Sequence, residues 1–440
     1  MINPVFSAVC WLSGYLALVL APLLTLLIGP VPPGSGFWWD FSMALGFSGM
    51  ALFGLQFLLT ARFRRASAPF GIDIIYYFHR FLAVIGFTLV LTHYLIIWID
   101  NPAALGASNP LVAPSYMTAG RVALVLFAVI IATSLWRKQL RIEYDHWRLW
   151  HALLATAAFL LAMVHIEGVG YYINAPIKRV LWTTFTLFWI LLIIYVRLIK
   201  PARLRKAPYR VTEVRPERGQ VWTLVLQPDG HPGLRFSPGQ FAWLTLGDSP
   251  FHVKEHPFSF ASSAERSGSL EFTIKGLGDF TNTIKDRQPG DIAYLDGPYG
   301  VFTVERYPHS PGFVFIAGGV GIAPIMSVLR TLADRGDQRP LLLIYGNQHW
   351  ERVAFREELD ELQKHLALQV VYVLTEPPEN WEGDRGYIGL ELLTKNLPAN
   401  RREFDFFICG PTPMRKAAEF ALHHLHIPLK RVHSELFDMV

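Results

Sequence analysis

Cysteine is nearly absent from this chain: its 440 residues hold two, Cys10 and Cys409, far apart in sequence. Two distant thiols exclude a disulfide framework and a thiolate metal site. Positive charge is missing from particular places. No Lys or Arg precedes the first apolar run, which extends from about Pro4 to Ile28. A secretory signal has a basic start and a shorter apolar core, so this run is expected to be a retained spanning helix. Segments 29–37 and 100–117 also contain no Lys or Arg. The net charge of +5 does not point to nucleic acid, because the basic residues cluster at the ends of apolar segments.

Hydrophobic residues make up 52% of the chain, and the excess is confined to residues before about Ile199. A membrane half followed by a soluble half is expected. Six candidate spans cover about 5–28, 38–60, 74–99, 118–136, 148–168 and 178–199, each near the ~20 residues that cross a hydrocarbon core. Arg62, Arg64 and Arg65 follow the second span. Arg137, Lys138, Arg141 and Arg148 lie between the fourth and fifth, and Arg197, Lys200, Arg203, Arg205 and Lys206 follow the sixth. The opposite side carries only Arg121, Lys178 and Arg179. The positive-inside rule then puts both termini in the cytoplasm, with the chain integral to the inner (plasma) membrane and the lipid bilayer as its surroundings.

Inside these spans His79 and His93, and again His151 and His165, are separated by 14 residues. Fourteen residues advance a helix by about 21 Å and nearly close four turns, so both imidazoles of a pair share one face. Ionisable residues at membrane depth mark function. Spans three and five run parallel under the charge rule. Pairing at equal depth gives an inner set, His79 with His151, and an outer set, His93 with His165. Haem suits each set, since porphyrin iron needs only two axial ligands; two b-type haems are expected. With both axial positions filled, the iron would transfer electrons and not bind oxygen. Arg80 and Arg121 have two readings, as partners of haem propionates or as interfacial anchors. His146 reads as a surface residue.

Beyond Lys206 short alternating strands take over, at Tyr209–Val214, Val221–Leu226, Gln240–Leu246, Pro257–Ala261, Leu270–Lys275 and Asp291–Leu295. Gly, Pro and Asp punctuate them, as in a small antiparallel barrel. After about Gly312, buried strands at Phe313–Ile316, Leu341–Tyr345, Val370–Leu374 and Phe404–Ile408 alternate with helical stretches.

The motifs carry a resemblance. His256-Pro257-Phe258-Ser259 resembles the flavin motif of the ferredoxin–NADP reductase superfamily, in the form found in ferric reductases and NADPH oxidases. Lys275-Gly276-Leu277-Gly278-Asp279-Phe280-Thr281 resembles its pyrophosphate segment. Gly297-Pro298-Tyr299-Gly300, Ala317-Gly318-Gly319-Val320-Gly321-Ile322-Ala323-Pro324, Tyr345-Gly346-Asn347 and Cys409-Gly410-Pro411, with Met414 just beyond, resemble its nicotinamide-nucleotide segments in family order. With the four histidines the resemblance covers nearly the whole chain. It implies a bacterial-type NADPH oxidase or ferric reductase that binds FAD and NADPH or NADH. The implied fold is an all-α six-helix transmembrane bundle over 1–203, then an antiparallel β-barrel FAD domain over 204–308 and an α/β nucleotide-binding domain over 309–440.

Each motif also has a physical reading. The strand through His256 and Ser259 would present amides and a hydroxyl to the flavin. Phe280 and Thr281 open a candidate helix whose amides, with Lys275, could meet pyrophosphate. Gly318, Gly319 and Gly321 follow a strand and precede a helix, though not with the G-x-G-x-x-G spacing. The resemblance implies that an aromatic residue near the C-terminus covers the flavin; Phe437 is the candidate, with an ordinary core Phe as the other reading. Glu435 is placed near flavin N5 and Cys409 near the nicotinamide, the other reading of Cys409 being a small buried hydrophobe. His423, His424 and His426 read as surface residues.

The expected logic is electronic. Nicotinamide gives two electrons and haem takes one, so a flavin belongs between them. Short outer loops favour a small acceptor: dioxygen first, a ferric chelate second, and a periplasmic electron-acceptor protein third. A non-redox transporter would leave the nucleotide motifs idle. Arg352 and Arg356 could meet a coenzyme 2′-phosphate, while Glu351 would oppose one, so coenzyme choice stays open.

Overall fold

Six helices form the first unit of the computed structural model, which describes residues 4–28, 34–64, 71–251, 254–266 and 268–435. They are α1 (Pro4–Thr25), α2 (Phe37–Thr60), α3 (Ile72–Asp100), α4 (Ser115–Leu135), α5 (Tyr144–Val169) and α6 (Pro176–Ile194). All six are long and apolar enough to cross a membrane, so this is an integral membrane protein. Leu12, Leu16, Phe81, Val125, Leu160 and Leu191 point outward and are exposed, as lipid-facing side chains must be. Inward, Phe53, Phe127, Ala158, Phe159, Met163 and Trp189 form a buried cluster. Phe53 and Phe127 stack within it, centroids 4.0 Å apart.

Local chemistry marks the helix ends. Glu143 caps α5 by accepting the Asp145 and His146 amides, and Gly170 ends it at φ 61°, a left-handed conformation that glycine adopts without strain. The sixth span differs from its expected form. After Ile194 the chain makes a π-helical turn, Tyr195–Ile199, before Lys200–Leu204. One extra residue per turn leaves composition unchanged, so hydropathy cannot register it.

The chain divides into two compact units, Met1–Pro201 and Ala202–Val440. The second unit starts with β1 (Tyr209–Pro216), β2 (Val221–Pro228), β3 (Phe241–Leu246), β4 (Glu255–Ser259) and β5 (Leu270–Lys275). A four-residue helix α7 (Asp279–Asn282) and β6 (Ile292–Tyr299) follow. These strands form one antiparallel sheet, ordered β4-β3-β6-β1-β2-β5. The barrel expected here is not closed by a continuous ladder. Its two edges meet at one bridge, Phe260 to Phe272, beside the Ala261 amide donating to the Glu271 carbonyl at 2.7 Å. Strand β4 therefore pairs with β3 on one side and leaves most of its other edge open.

Parallel strands come next: β7 (Phe313–Gly318), β8 (Leu341–Asn347), β9 (Leu368–Leu374), β10 (Asp384–Arg385), β11 (Asp405–Cys409) and β12 (Val432–Glu435). Helices α8 (Ile322–Asp334), α9 (Arg356–His365), α10 (Leu390–Asn396) and α11 (Thr412–His424) connect them. The sheet order is β10-β9-β8-β7-β11-β12. The chain winds outward from β7 through β8 and β9, then returns to its other side with β11. A topological switch point thus lies between β7 and β11, where open α/β sheets bind ligands outside the strand carboxyl ends.

Candidate functional site

Helices α3 and α5 bring the four histidines together in two levels. The His79 and His151 rings face each other with centroids 6.2 Å apart. Two imidazoles on opposite sides of one metal, each bonded at about 2 Å, hold their ring centres about 6 Å apart. That spacing fits a bis-imidazole site. His93 and His165 line one largely apolar cavity together with Met43, Phe47, Met50 and Arg121. Among the described residues no three His, Cys, Asp or Glu side chains converge as a metal site. Two protein ligands per level therefore suit a metal whose remaining ligands come from a macrocycle.

The outer histidines are oriented by neighbours that sequence reasoning missed. His93 Nδ1 lies 2.9 Å from both the carbonyl and the hydroxyl oxygen of Ser42 on α2, and His165 Nδ1 lies 3.2 Å from the Tyr116 carbonyl on α4. A carbonyl only accepts, so Nδ1 carries the proton and Nε2 keeps its lone pair for a metal. Glycines one helical turn later permit this approach. A Cβ on Gly46 would come within 3.2 Å of the His93 ring, and one on Gly120 within 2.7 Å of His165 Nδ1. At the inner level His151 Nδ1 lies 3.2 Å from the Ser134 hydroxyl. His79 Nδ1 is buried without a hydrogen-bond partner among the described residues. The signal was readable: Gly46 to Thr60 and Gly120 to Ser134 repeat the 14-residue step of the histidines.

Arg121 lines the outer cavity while donating to the Leu105 carbonyl and, at 2.7 Å, to that of Ala107. Arg80 is exposed. His146 is exposed and pairs with Glu143. His423, His424 and His426 are exposed.

In the second unit β4 carries His256 and Ser259, both buried. The His256 ring packs on Phe280 with centroids 4.1 Å apart, and Phe258 stacks on the same ring at 6.0 Å. The Ser259 hydroxyl is buried without a partner among the described residues. A buried orphan hydroxyl on an open strand edge fits a ligand that supplies the missing bond. Two expectations change here. Helix α7 has only four residues, too few to build a full helix-terminal anion site. The Thr281 hydroxyl already accepts the Leu277 and Gly278 amides, each at 2.9 Å. Lys275 ends β5. Gly297 lies where β6 crosses β3, and a Cβ there would meet that of Ala242 at 2.8 Å; Pro298 follows it through a cis peptide.

At the switch point the glycine turn after β7 meets the end of β11. Cys409 pairs with Ala317 across these strands and is fully buried. A Cβ on Gly321 would lie 2.3 Å from the Cys409 carbonyl, and one on Gly318 2.6 Å from Met414 Sδ. Gly319 has φ 52° and open space where a Cβ would be, a cradle that an anionic group can approach closely. Gly410 leads from β11 toward α11, and Pro324 sits in the first turn of α8. Tyr345 donates to the Gly319 carbonyl at 3.2 Å. Burial pushes the Tyr372 phenol up to about 12, so it stays protonated, and its hydroxyl has no partner among the described residues.

At the carboxyl ends of β8 and β9, the Gln348 amide donates to Glu376 at 2.7 Å, and His349 Nε2 lies 3.6 Å from the same carboxylate. Arg352 donates to Gln348 at 2.8 Å, while the Arg356 guanidinium lies over Trp350, 4.2 Å from the ring centre. Glu376 lies 25 residues beyond Glu351, the acid legible in the sequence, and meets this corner only through the pairing of β8 with β9. Phe437 lies outside the described residues, and so does the side chain of Glu435, whose backbone ends β12. That strand is held by His433 Nε2, 2.9 Å from Asp405, and by Arg431, which donates to the same carboxylate at 3.1 Å.

Comparisons with known proteins follow the same division. Residues 45–163 match the ferric reductase like transmembrane component, 212–303 the FAD-binding domain and 315–419 the oxidoreductase NAD-binding domain. NADH-cytochrome b5 reductase 2 of Scheffersomyces stipitis is 31% identical over 166 residues, 37% of this chain and 55% of that protein. The reductase component of propane 2-monooxygenase from Rhodococcus jostii is 33% identical over 221 residues, 48% of this chain and 57% of that protein. The matches span little more than half of these curated relatives. Among solved structures, a ferredoxin reductase in carbazole 1,9a-dioxygenase is 26% identical with a TM-score of 0.47, covering 52% of this chain and 69% of that one. With six apolar helices ahead of two nucleotide-binding modules, the chain belongs to the ferric reductase-like membrane flavoproteins, in which a transmembrane component is fused to FAD- and NAD-binding oxidoreductase domains.

Proposed function

We propose that this protein is a transmembrane NAD(P)H oxidase that carries electrons from the cytoplasm to an acceptor at the outer face, most favourably dioxygen, giving superoxide. The observation that carries this reading is the facing of His79 and His151 at 6.2 Å below a second pair, His93 and His165, in a bundle fused to FAD- and NAD-binding domains. Once bound, FAD would convert a two-electron hydride into single electrons and two b-type haems would relay them. His79 and His151 would hold the inner haem; His93 and His165 would hold the outer one.

The chain's own residues position these groups. His256, Pro257, Phe258 and Ser259 on the open edge of β4 would receive the flavin, with Lys275 and Gly278 beside its phosphates. Gly318, Gly319, Gly321, Pro324, Gly410 and Met414 would shape the nicotinamide-nucleotide crevice, with Gly297 and Pro298 at the flavin side. Cys409, Glu435 and Phe437 would lie nearest the hydride. Basic segments between spans put the soluble domains and both termini in the cytoplasm of a plasma-membrane protein. The domain limits 1–203, 204–308 and 309–440 belong to the same reading.

Segment 100–117 has no Lys or Arg with which to attract a ferric chelate, which favours a small neutral acceptor. Purified full-length protein with FAD and coenzyme should consume oxygen and reduce cytochrome c in a superoxide dismutase-sensitive manner. Rapid reduction of a ferric chelate with no superoxide would instead make it a ferric reductase. Slow turnover with both, relieved by a periplasmic protein fraction, would make it a donor subunit.

Glu376 favours NADH. Its carboxylate occupies the strand-end corner where an acidic side chain accepts the ribose hydroxyls and repels a 2′-phosphate. Steady-state flavin reduction should show a kcat/KM for NADH at least about tenfold above that for NADPH, a difference of about 1.4 kcal/mol. Glu376→Arg should erase it. Equal use of both coenzymes by the wild type would refute the assignment.

A further inference from the structure

The 14-residue step of the histidine ligands is matched on the helices that flank them. Gly46 and Thr60 lie on α2; Gly120 and Ser134 lie on α4. At the outer level the flanking residue is glycine. Its missing Cβ lets His165 come close enough for Nδ1 to reach the Tyr116 carbonyl, one helical turn before Gly120. At the inner level the corresponding pair is Ile130 and Ser134. The Ser134 hydroxyl donates to the Ile130 carbonyl at 2.6 Å, and His151 Nδ1 lies 3.2 Å from the Ser134 hydroxyl oxygen. Thr60 on α2 is satisfied in the same way, donating to the Gln56 carbonyl at 2.9 Å.

We infer that Ser134 is a positioning residue for His151, its hydroxyl accepting the Nδ1 proton where His165, on the same helix, uses the bare Tyr116 carbonyl. The inference rests on the haem reading above. A hydroxyl has one proton and two lone pairs. With its proton committed to Ile130, it can only accept from His151. That fixes the imidazole with Nδ1 protonated and Nε2 free to ligate. Ser134 follows Gly120 by 14 residues, so its Cβ takes the helix position that glycine leaves bare, and its hydroxyl offers an acceptor beside the Ile130 carbonyl. His165 is thus held by rigid backbone, His93 by the Ser42 carbonyl and hydroxyl together, and His151 by a side chain that substitution can alter.

This difference sets the experiment. Full-length protein in detergent is examined by electron paramagnetic resonance of its ferric haems and by redox titration. Ser134→Ala removes the acceptor yet keeps the covering Cβ; the inner-haem signal and midpoint should shift while the outer pair stays put. Ser134→Gly uncovers the Ile130 carbonyl and should return the inner signal toward the wild-type position. Ser134→Thr retains the hydroxyl and should leave it unchanged. An unshifted Ser134→Ala signal, or identical shifts for Ala and Gly, overturns the proposal. If Ser134→Ala does not accumulate, Ser134→Thr against Ser134→Cys decides, since sulfur accepts poorly; identical spectra from these two overturn it. A wild-type protein without bis-imidazole haem signals, or a His151→Ala variant that keeps both haems, removes the underlying haem assignment, a failure visible before any Ser134 variant is made.

Discussion

Replacing His93 with Ala should leave one haem per chain and cut electron delivery to the outer face by more than about 100-fold, the loss approached even when a residue supporting a metal ligand is removed. The same result is expected for His165→Ala, because the proposed outer haem would lose one of the two side chains that would hold it. Flavin reduction by NADH should survive in both variants. The residues proposed to hold nucleotide and flavin lie in the second unit, on β4, the turn after β7 and the end of β11, and none is altered. His93 sits against Gly46, so Ala leaves a space beside a glycine and not a clash. Stopped-flow absorbance separates the two steps, with flavin bleaching at the wild-type rate and haem reduction stopping after one equivalent. Loss of flavin bleaching in a folded variant would count against this order of carriers.

Arg330→Leu should have the largest effect on the second unit. Arg330 lies on α8 of the nucleotide-binding region and reaches the antiparallel sheet, donating to Glu271 on β5 at 2.8 Å and to the Ala261 carbonyl at 2.7 Å. Its other nitrogens make a bidentate pair with Glu358 on α9, at 2.6 and 2.7 Å. The side chain is 14% exposed. Burial opposes its charge, but Glu358 and Glu271 more than offset this and raise its pKa. Removing one partner of a buried network costs about 3–5 kcal/mol. Glu358 is 37% exposed, so a figure near 3 kcal/mol is expected. That corresponds to a fall of about 6–12 °C in the Tm of a unit this size, followed by flavin release on heating. Because the cation joins the two regions between which hydride must pass, the rate of flavin reduction should fall as well. Arg330→Lys retains charge without the planar fork and should recover only part of the loss. An unchanged Tm would show that Arg215, which reaches Glu271 at 3.1 Å, suffices alone.

Much of this architecture is written locally. Apolar length alone marks the six crossings, and alternation marks β1 to β3, β5 and β6 within a few residues, because lipid and a half-buried sheet each impose a period on the side chains they meet. The histidine step shows in the chain because both members of a pair lie on one helix. The open barrel edge did not show, since closure depends on whether β4 and β5 meet beyond Ser259. The four-residue α7 and the π turn after Ile194 escaped because hydropathy is blind to hydrogen-bond register. Glu376 escaped because it is set beside Gln348 by strand pairing.

The amino-acid order by itself determined which residues cross lipid, that two imidazoles share each of two helix faces, and that glycine turns follow particular strands; these properties lie within a few turns of one element. Tertiary structure decided that His79 meets His151, that Ser42, Tyr116 and Ser134 come within hydrogen-bond reach of imidazole Nδ1 atoms, and that Gly321 closes on Cys409. Each is an encounter between residues distant in the chain, settled by which small side chains let two backbones draw near.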